Sequence, residues 1–532
     1  MTSPAIADAF DRVAAQRGDR RAVREDFGSG ARGGARGGAQ GDVRDVSYAA
    51  LRARSENVSR ALAPLCREPG LRVGLMAPNS AEFVAAFYGI ARLGGVVAPL
   101  DARYRRQELV AYLTDASAAA LIVTPESVET ARGALAAIEH PPALVVVTAD
   151  GACDVLDLGR ADSVAAPAAP AAPPAPTTSA ATAADSPPLL QQYTSGSTGA
   201  PKRVIRTHSN LSFELERLAA LFTLAEDDRF VGAAPFSHVN GLVRTMMTSM
   251  FVGGTLHPFR EFRRREILQR IAEERLTYFG GVPHMFAALA DTTSRAVPDL
   301  SSLRTVFSAS APLLPDDNRR FHARYGLYVR QLYGSTETGT ISVNLHLRGG
   351  AQSDSDLNAH LESVGTPLPG VRIEILDAER RPLPRGAEGE VAIASPAAIR
   401  EYPGNPEANA ASFHEGFYLS GDLGRIDADE NLTLTGRKKF LINRGGFKVN
   451  PLEVEAAIRS HPAVKEVVVL GAPGLHGDDV VRCVIVASGS CTPEEIVRHC
   501  GDRIADFKIP SRIEFRDALP KSATGKVLRH EL

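Results

Sequence analysis

Residues 193–202 read Tyr-Thr-Ser-Gly-Ser-Thr-Gly-Ala-Pro-Lys. Thr194, Ser195, Ser197 and Thr198 offer hydroxyl donors, while Gly196 and Gly199 let backbone N–H groups turn into one concavity. Lys202 closes the run with a mobile positive charge, and the whole loop suits the phosphate tail of a nucleotide. A Walker A loop needs Lys-Ser/Thr directly after its last glycine, opening a helix. Here Ala200-Pro201 intervenes, and the flanks 189–193 and 204–207 read as strands. Standing alone, the run favours the phosphate reading, with an ordinary Gly/Ser surface turn as the lesser alternative.

Further stretches follow in a fixed order. They are Gln331-Leu332-Tyr333-Gly334-Ser335-Thr336-Glu337, then Tyr418-Leu419-Ser420-Gly421-Asp422, then Gly436-Arg437-Lys438-Lys439 leading to Arg444-Gly445-Gly446-Phe447-Lys448. The last is Pro520-Lys521-Ser522-Ala523-Thr524-Gly525-Lys526. Each alone has a plain reading: Tyr333 as core, Asp422 as a turn residue, Lys526 as a solvated lysine. Together, and spread over nearly the whole chain, they resemble the adenylate-forming superfamily of acyl-CoA synthetases, amino-acid adenylation domains and luciferases.

What the resemblance implies is a two-step chemistry. A carboxylate is a poor electrophile, so it first attacks the α-phosphate of ATP, giving an acyl-adenylate and pyrophosphate. Two anions must meet, so catalysis rests on alignment and fixed positive charge. By resemblance, Thr194, Ser195, Gly196, Ser197, Thr198, Gly199 and Lys202 hold the β- and γ-phosphates. Thr336 bonds the α-phosphate, and Glu337 holds Mg²⁺, a hard cation suited to carboxylate and phosphate oxygens. Tyr333 faces the adenine, Gly334 and Ser335 belong to the same stretch, and Ser310, Ala311 and Pro312 resemble a segment lining the acyl and adenine pockets. Asp422 takes the ribose hydroxyls with support from Arg437, and Lys526 bridges the attacking carboxylate and the α-phosphate.

The second step is transfer to coenzyme A, with a small C-terminal domain rotating about Lys439 and Gly446 letting a pantetheine arm pass. A carrier-protein phosphopantetheine is the alternative thiol, and a non-catalytic nucleotide-binding protein of the same fold is the alternative of another class. His238, in Phe236-Ser237-His238-Val239-Asn240-Gly241, matches a gate near the acyl site. No acid stands at the start of that stretch to pair with an ammonium, which disfavours an α-amino acid. Arg244 reads as a surface arginine on the following helix, with a second carboxylate of a substrate such as oxalate or malonate as the alternative. Arg203 follows Lys202 where the family usually has glycine, which bears on loop mobility and phosphate affinity.

These groups need a frame. Helices are expected over 4–17, 48–61 (Ser47 as N-cap), 80–93 and 106–115, alternating with strands at 72–76, 96–99 and 119–123. A second series runs through a helix from 209, a strand near 231, a helix after 241, a helix 262–274 and strands at 277–279 and 305–307. This alternation predicts an α/β fold: a large N-terminal domain of two α/β subdomains plus a small β-rich subdomain at about 364–436. A small mobile α+β domain follows over 437–532. Residues 165–185, almost all Ala, Pro, Thr and Ser, read as a flexible connector, and the Gly/Arg-rich 28–42 as a surface loop rather than an RNA-binding segment.

Composition sets the remaining bounds. At 532 residues and 44% apolar, the chain has several buried cores, and a net charge of −2 gives no reason to expect nucleic acid or an anionic membrane. The five cysteines form no CxxC pair. Neither a secretory leader nor a membrane span is apparent, so a cytoplasmic monomer or homodimer is expected.

Overall fold

The computed structural model describes residues 6–26, 43–66, 70–156, 186–194, 202–292, 297–347, 360–444, 447–474, 479–522 and 525–532. Three expectations fall outside these residues: the connector 165–185, the Gly/Arg insert 28–42, and the sites Ser195, Gly196, Ser197, Thr198, Gly199 and Gly446.

The first α/β series forms a seven-stranded sheet. Its buried centre is parallel: Arg72–Met76 pairs with both Val96–Leu100 and Ala120–Val123. Helices Tyr48–Leu62 and Ala81–Arg92 start where Ser47 and Ser80 accept a backbone N–H, each satisfying one donor that a helix start leaves free. At one edge Pro188–Thr194 and Lys202–Thr207 pair antiparallel, with Thr194 opposite Lys202. The ends of the hydroxyl-rich loop are therefore held side by side.

The second series builds the other sheet. Strands Arg229–Gly232, Tyr278–Gly281, Thr305–Ser308 and Arg330–Ser335 run parallel. Gly339–Val343 then doubles back on Arg330–Ser335, so Thr336 and Glu337 sit at the tip of a hairpin. The β-rich segment is not a separate sheet. Ser363–Pro367 pairs with Gly339–Val343 and passes the ladder to Leu432–Arg437, Phe417–Ile426, Gly389–Ala394 and Arg372–Leu376. At the opposite edge Arg21–Asp26 and Val43–Ser47 form an antiparallel pair in which Asp26 faces Val43.

After Lys438–Phe440 a small unit closes its own core. Val464–Pro473, Asp479–Ala487 and Arg512–Phe515 make a three-stranded sheet covered by helices Pro451–Arg459 and Pro493–Gly501. Ile442, Val454, Ile458, Val469, Val481 and Ile485 fill the space between. A self-contained core is what a lobe that moves as a unit requires.

Candidate active site

Glu337 is buried and receives two hydroxyl bonds on Oε1. Thr194 donates at 3.0 Å and Tyr402 at 3.2 Å. The turn beneath it is fixed by Ser335 and Thr338, whose side chains bond each other and each other's backbone N–H. The first bond ties the hydroxyl-rich loop to the Thr336–Glu337 hairpin across the two sheets. Lys202 stands over the Tyr402 ring, with Nζ 4.8 Å from its centroid. Tyr402 and Tyr418 also share a hydrogen bond of 3.1 Å. Tyr418 opens one of the stretches first singled out as chemical, whereas Tyr402 belongs to none of them and no local pattern marks it.

Asp422 lies in the extended strand Phe417–Ile426, not in a turn. Its carboxylate accepts from the Tyr333 hydroxyl at 2.8 Å and from Arg437 Nε at 2.5 Å. The strand register sets Asp422 opposite Arg437, and Ser420 Oγ accepts the Asp422 N–H at 3.1 Å. Burial first, and then the neighbouring Asp422 charge, push the Tyr333 phenol well above its ordinary value.

Lys526 comes from the small unit to the same place. Enclosure between the lobes, then repulsion from Arg437 and Lys439, hold its ammonium below the ordinary lysine value, while Asp422 opposes them. The side chain nonetheless keeps an open face to solvent. Lys439, in the short turn Lys438–Phe440, is lowered likewise, by burial and then by Arg437. The adjoining Gly525, at φ +76°, packs on the His284 ring.

His238 caps the segment that follows it, and its Nε2 lies 3.9 Å from Asp101 Oδ2. Asp101 is itself locked by Arg103 through 2.8 and 2.7 Å bonds. Burial lowers the imidazole's affinity for a proton and Asp101 partly restores it. Ser310 occupies a left-handed conformation at φ 75°, an uncommon backbone state for a residue with a side chain. No described hydrogen bond joins Ser310, Ala311 or Pro312 to Tyr333 or Asp422. Arg203 points to Asp115, with 4.0 Å between Nε and Oδ2.

The surface reading of Arg244 is wrong. The residue is 2% exposed, on a π-helical turn Leu242–Met247, where it joins a buried ionic cluster. Glu214 accepts from Arg206 Nη2 at 2.6 Å and from Thr340 N and Oγ1 at 2.9 and 2.6 Å. Arg244 Nε donates to Thr340 Oγ1 at 2.9 Å. Arginine side chains are mostly surface groups, and only an acid on a different helix makes this burial tolerable.

Comparison with known proteins fits this geometry. The AMP-binding enzyme family matches residues 10–403, and the AMP-binding enzyme C-terminal domain matches 453–526. The chain belongs to the AMP-binding enzyme family. This AMP-binding enzyme is 31% identical to a feruloyl-CoA synthase from Amycolatopsis sp, over 92% of this chain and 93% of that one. It is 32% identical to an oxalate–CoA ligase from Arabidopsis thaliana, over 87% and 88%. Among solved structures it resembles ATP-bound MatB from Rhodopseudomonas palustris at a TM-score of 0.81 and 26% identity, covering 99% and 98% of the two chains. These likenesses bear out the expected acyl-activating family and its large-plus-small fold.

A divalent cation fits the Glu337 position. Both hydroxyl bonds fall on Oε1, and none of the described hydrogen bonds uses Oε2. Among the described residues no cluster of three or more His, Cys, Asp or Glu could hold a metal. A single carboxylate beside Thr194 and Lys202 suits Mg²⁺, which keeps its waters and takes phosphate oxygens as further ligands. No described helix is long and apolar enough to cross a membrane.

Proposed function

We propose that this chain is an ATP-dependent acid–CoA ligase acting on a small or medium carboxylic acid. The observation that carries the reading is the convergence on Asp422. Tyr333 and Arg437 bond its two oxygens, and the Lys526 ammonium from the rear lobe feels the same carboxylate. A sugar-binding acid, a ring and a mobile cation in one cleft match what adenylation needs.

In the first step a carboxylate oxygen of the acid attacks the α-phosphorus and pyrophosphate leaves. Lys202 and the loop from Thr194 hold the departing phosphates, Thr336 donates to the α-phosphate, and Lys526 screens the two anions from each other. Glu337 would hold Mg²⁺, which neutralises phosphate charge when bound. In the second step the thiol of coenzyme A loses its proton and attacks the acyl carbon, and AMP departs. Rotation about Lys439 would withdraw Lys526 and open the thiol's path past Gly446, with His238 at the acyl entrance. The boundary between the moving parts falls at residues 436 and 437, and a reaction drawing on ATP and coenzyme A suits the cytoplasm.

The relatives named for ferulate and for oxalate span an aromatic acid and a short diacid, so they support the reaction class and leave the acid itself open. The test is pyrophosphate release across a panel of acids, followed by coenzyme A or a phosphopantetheinylated carrier protein as acceptor. Release that needs an acid, followed by thioester on coenzyme A, supports the reading. Thioester formed only on the carrier protein assigns the other thiol, and no acid-dependent release removes the enzyme assignment.

A further inference from the structure

The segment that starts at Val239 leaves the carboxyl end of Arg229–Gly232, the end where open α/β sheets bind their ligands, and runs back to the start of Thr255–Pro258. Asn240 Nδ2 donates to the carbonyl of Gly281 at 2.9 Å, and the Tyr278 hydroxyl donates to the carbonyl of Arg244 at 2.5 Å. One turn further on, Arg244 lies under Gly334: a Cβ on that glycine would be 2.8 Å from Nη2. Gly334 stands between Tyr333 and the Thr336–Glu337 tip. The Arg244 guanidinium therefore lies behind the stretch that, on the acid–ATP reading, meets the adenine and the α-phosphate.

This buried region carries unmet polarity. Arg244 Nη2, Arg206 Nε and Nη1, and Asn240 Oδ1 are buried and have no hydrogen-bond partner among the described residues. The arginines are 2% and 0% exposed and Asn240 is 3% exposed. Charge is unbalanced as well. Among the described residues Arg206 and Arg244 face a single acid, Glu214, and the Tyr278 phenol beside them is neutral, pushed up by burial. An uncompensated buried cation is costly unless something anionic meets it. A π-helical turn, a rare form that recurs at functional sites, aims Arg244 at this point.

We infer that the acid activated by this chain carries a second carboxylate, which Arg244 receives through Nη2 beneath Gly334. The inference rests on the acid–ATP reading above and narrows its substrate to short dicarboxylic acids. Arg206 supports the same positive field from behind Glu214.

The experiment compares acids of equal chain length on the native enzyme by pyrophosphate release: propionate against malonate, and butyrate against succinate. The expected result is a kcat/KM for one diacid about a hundredfold or more above its monoacid partner, since a site built for a polar group rejects analogues that lack it. Arg244→Met should bring that ratio down to one or below. Because the change also takes one of its two cations from Glu214, Arg244→Lys is the second variant: it keeps the charge and should leave a reduced preference for the diacid. Monoacids used as well as their diacid partners by the native enzyme overturn the inference and leave the ligase reading standing. So does a folded Arg244→Met that keeps the diacid preference. Release with no acid at all removes the ligase reading and this inference with it.

Discussion

Gly525 packs so closely on the ring of His284 that a Cβ on the glycine would collide with Nδ1. His284 opens the helix Pro283–Ala290 of the front body, whereas Gly525 belongs to the rear lobe and directly precedes Lys526. Glycine is required twice over here, by the contact and by φ +76°. Gly525→Ala should therefore misplace Lys526. Adenylation, followed as pyrophosphate release, should fall about a hundredfold, the usual scale for a displacement of an ångström. Thioester formation from supplied acyl-adenylate should survive; an equal loss in both assays would argue against this docking.

Lys526→Ala and Lys439→Pro should separate the two half-reactions. The first removes the cation that Asp422 faces and should abolish adenylation while sparing thioester formation. The second stiffens the turn Lys438–Phe440 and should do the reverse. Unchanged thioesterification in Lys439→Pro would take the pivot away from this residue.

Tyr333 and Arg437 divide the Asp422 oxygens between them, so the two contacts can be probed apart. Tyr333→Phe deletes one hydrogen bond worth about 0.5–1.5 kcal/mol and should raise the KM for ATP by up to about tenfold. Asp422→Ala also leaves Arg437 without its partner and should weaken ATP further, at any acid concentration. Isothermal titration with a non-hydrolysable ATP analogue would read both directly.

Glu214 makes stability depend on pH in a predictable direction. The Arg206 and Arg244 charges outweigh burial and hold its carboxyl below the ordinary glutamate value. A carboxyl depressed in the folded state adds stability above the unfolded value, about 4.3, and loses it as pH falls through the folded one. Glu214→Gln should cost about 3–5 kcal/mol near pH 7, the scale for breaking a buried ion pair. The gap in Tm between native and variant should narrow below about pH 4.3. A gap that stays constant with pH would mean that shape, not charge, matters at this position.

Regular elements were legible where local chemistry decides them. Ser47 and Ser80 cap the helices expected behind them, and the strand 72–76 is found as Arg72–Met76. The motif residues Tyr333, Asp422, Arg437 and Lys526 also converge as their order implied. What could not be read is what long-range pairing decides. Nothing local to Gly339–Val343 says that it folds back on Arg330–Ser335, nor that the β-rich segment continues the same sheet. Tyr402 bonds Glu337 from a separate loop. Arg244 looked exposed because its acid, Glu214, is 30 positions earlier, on a helix whose packing the sequence does not state.

The antiparallel pairing of Asp26 with Val43 has a practical side. Two neighbouring ladder positions at a sheet edge anchor both ends of whatever joins them. Lengthening a closed segment costs only about 0.6 kcal/mol per doubling. The junction is thus a natural port for splicing in a fluorescent or affinity module, at the far edge of the sheet from the strands that carry Asp422 and Arg437.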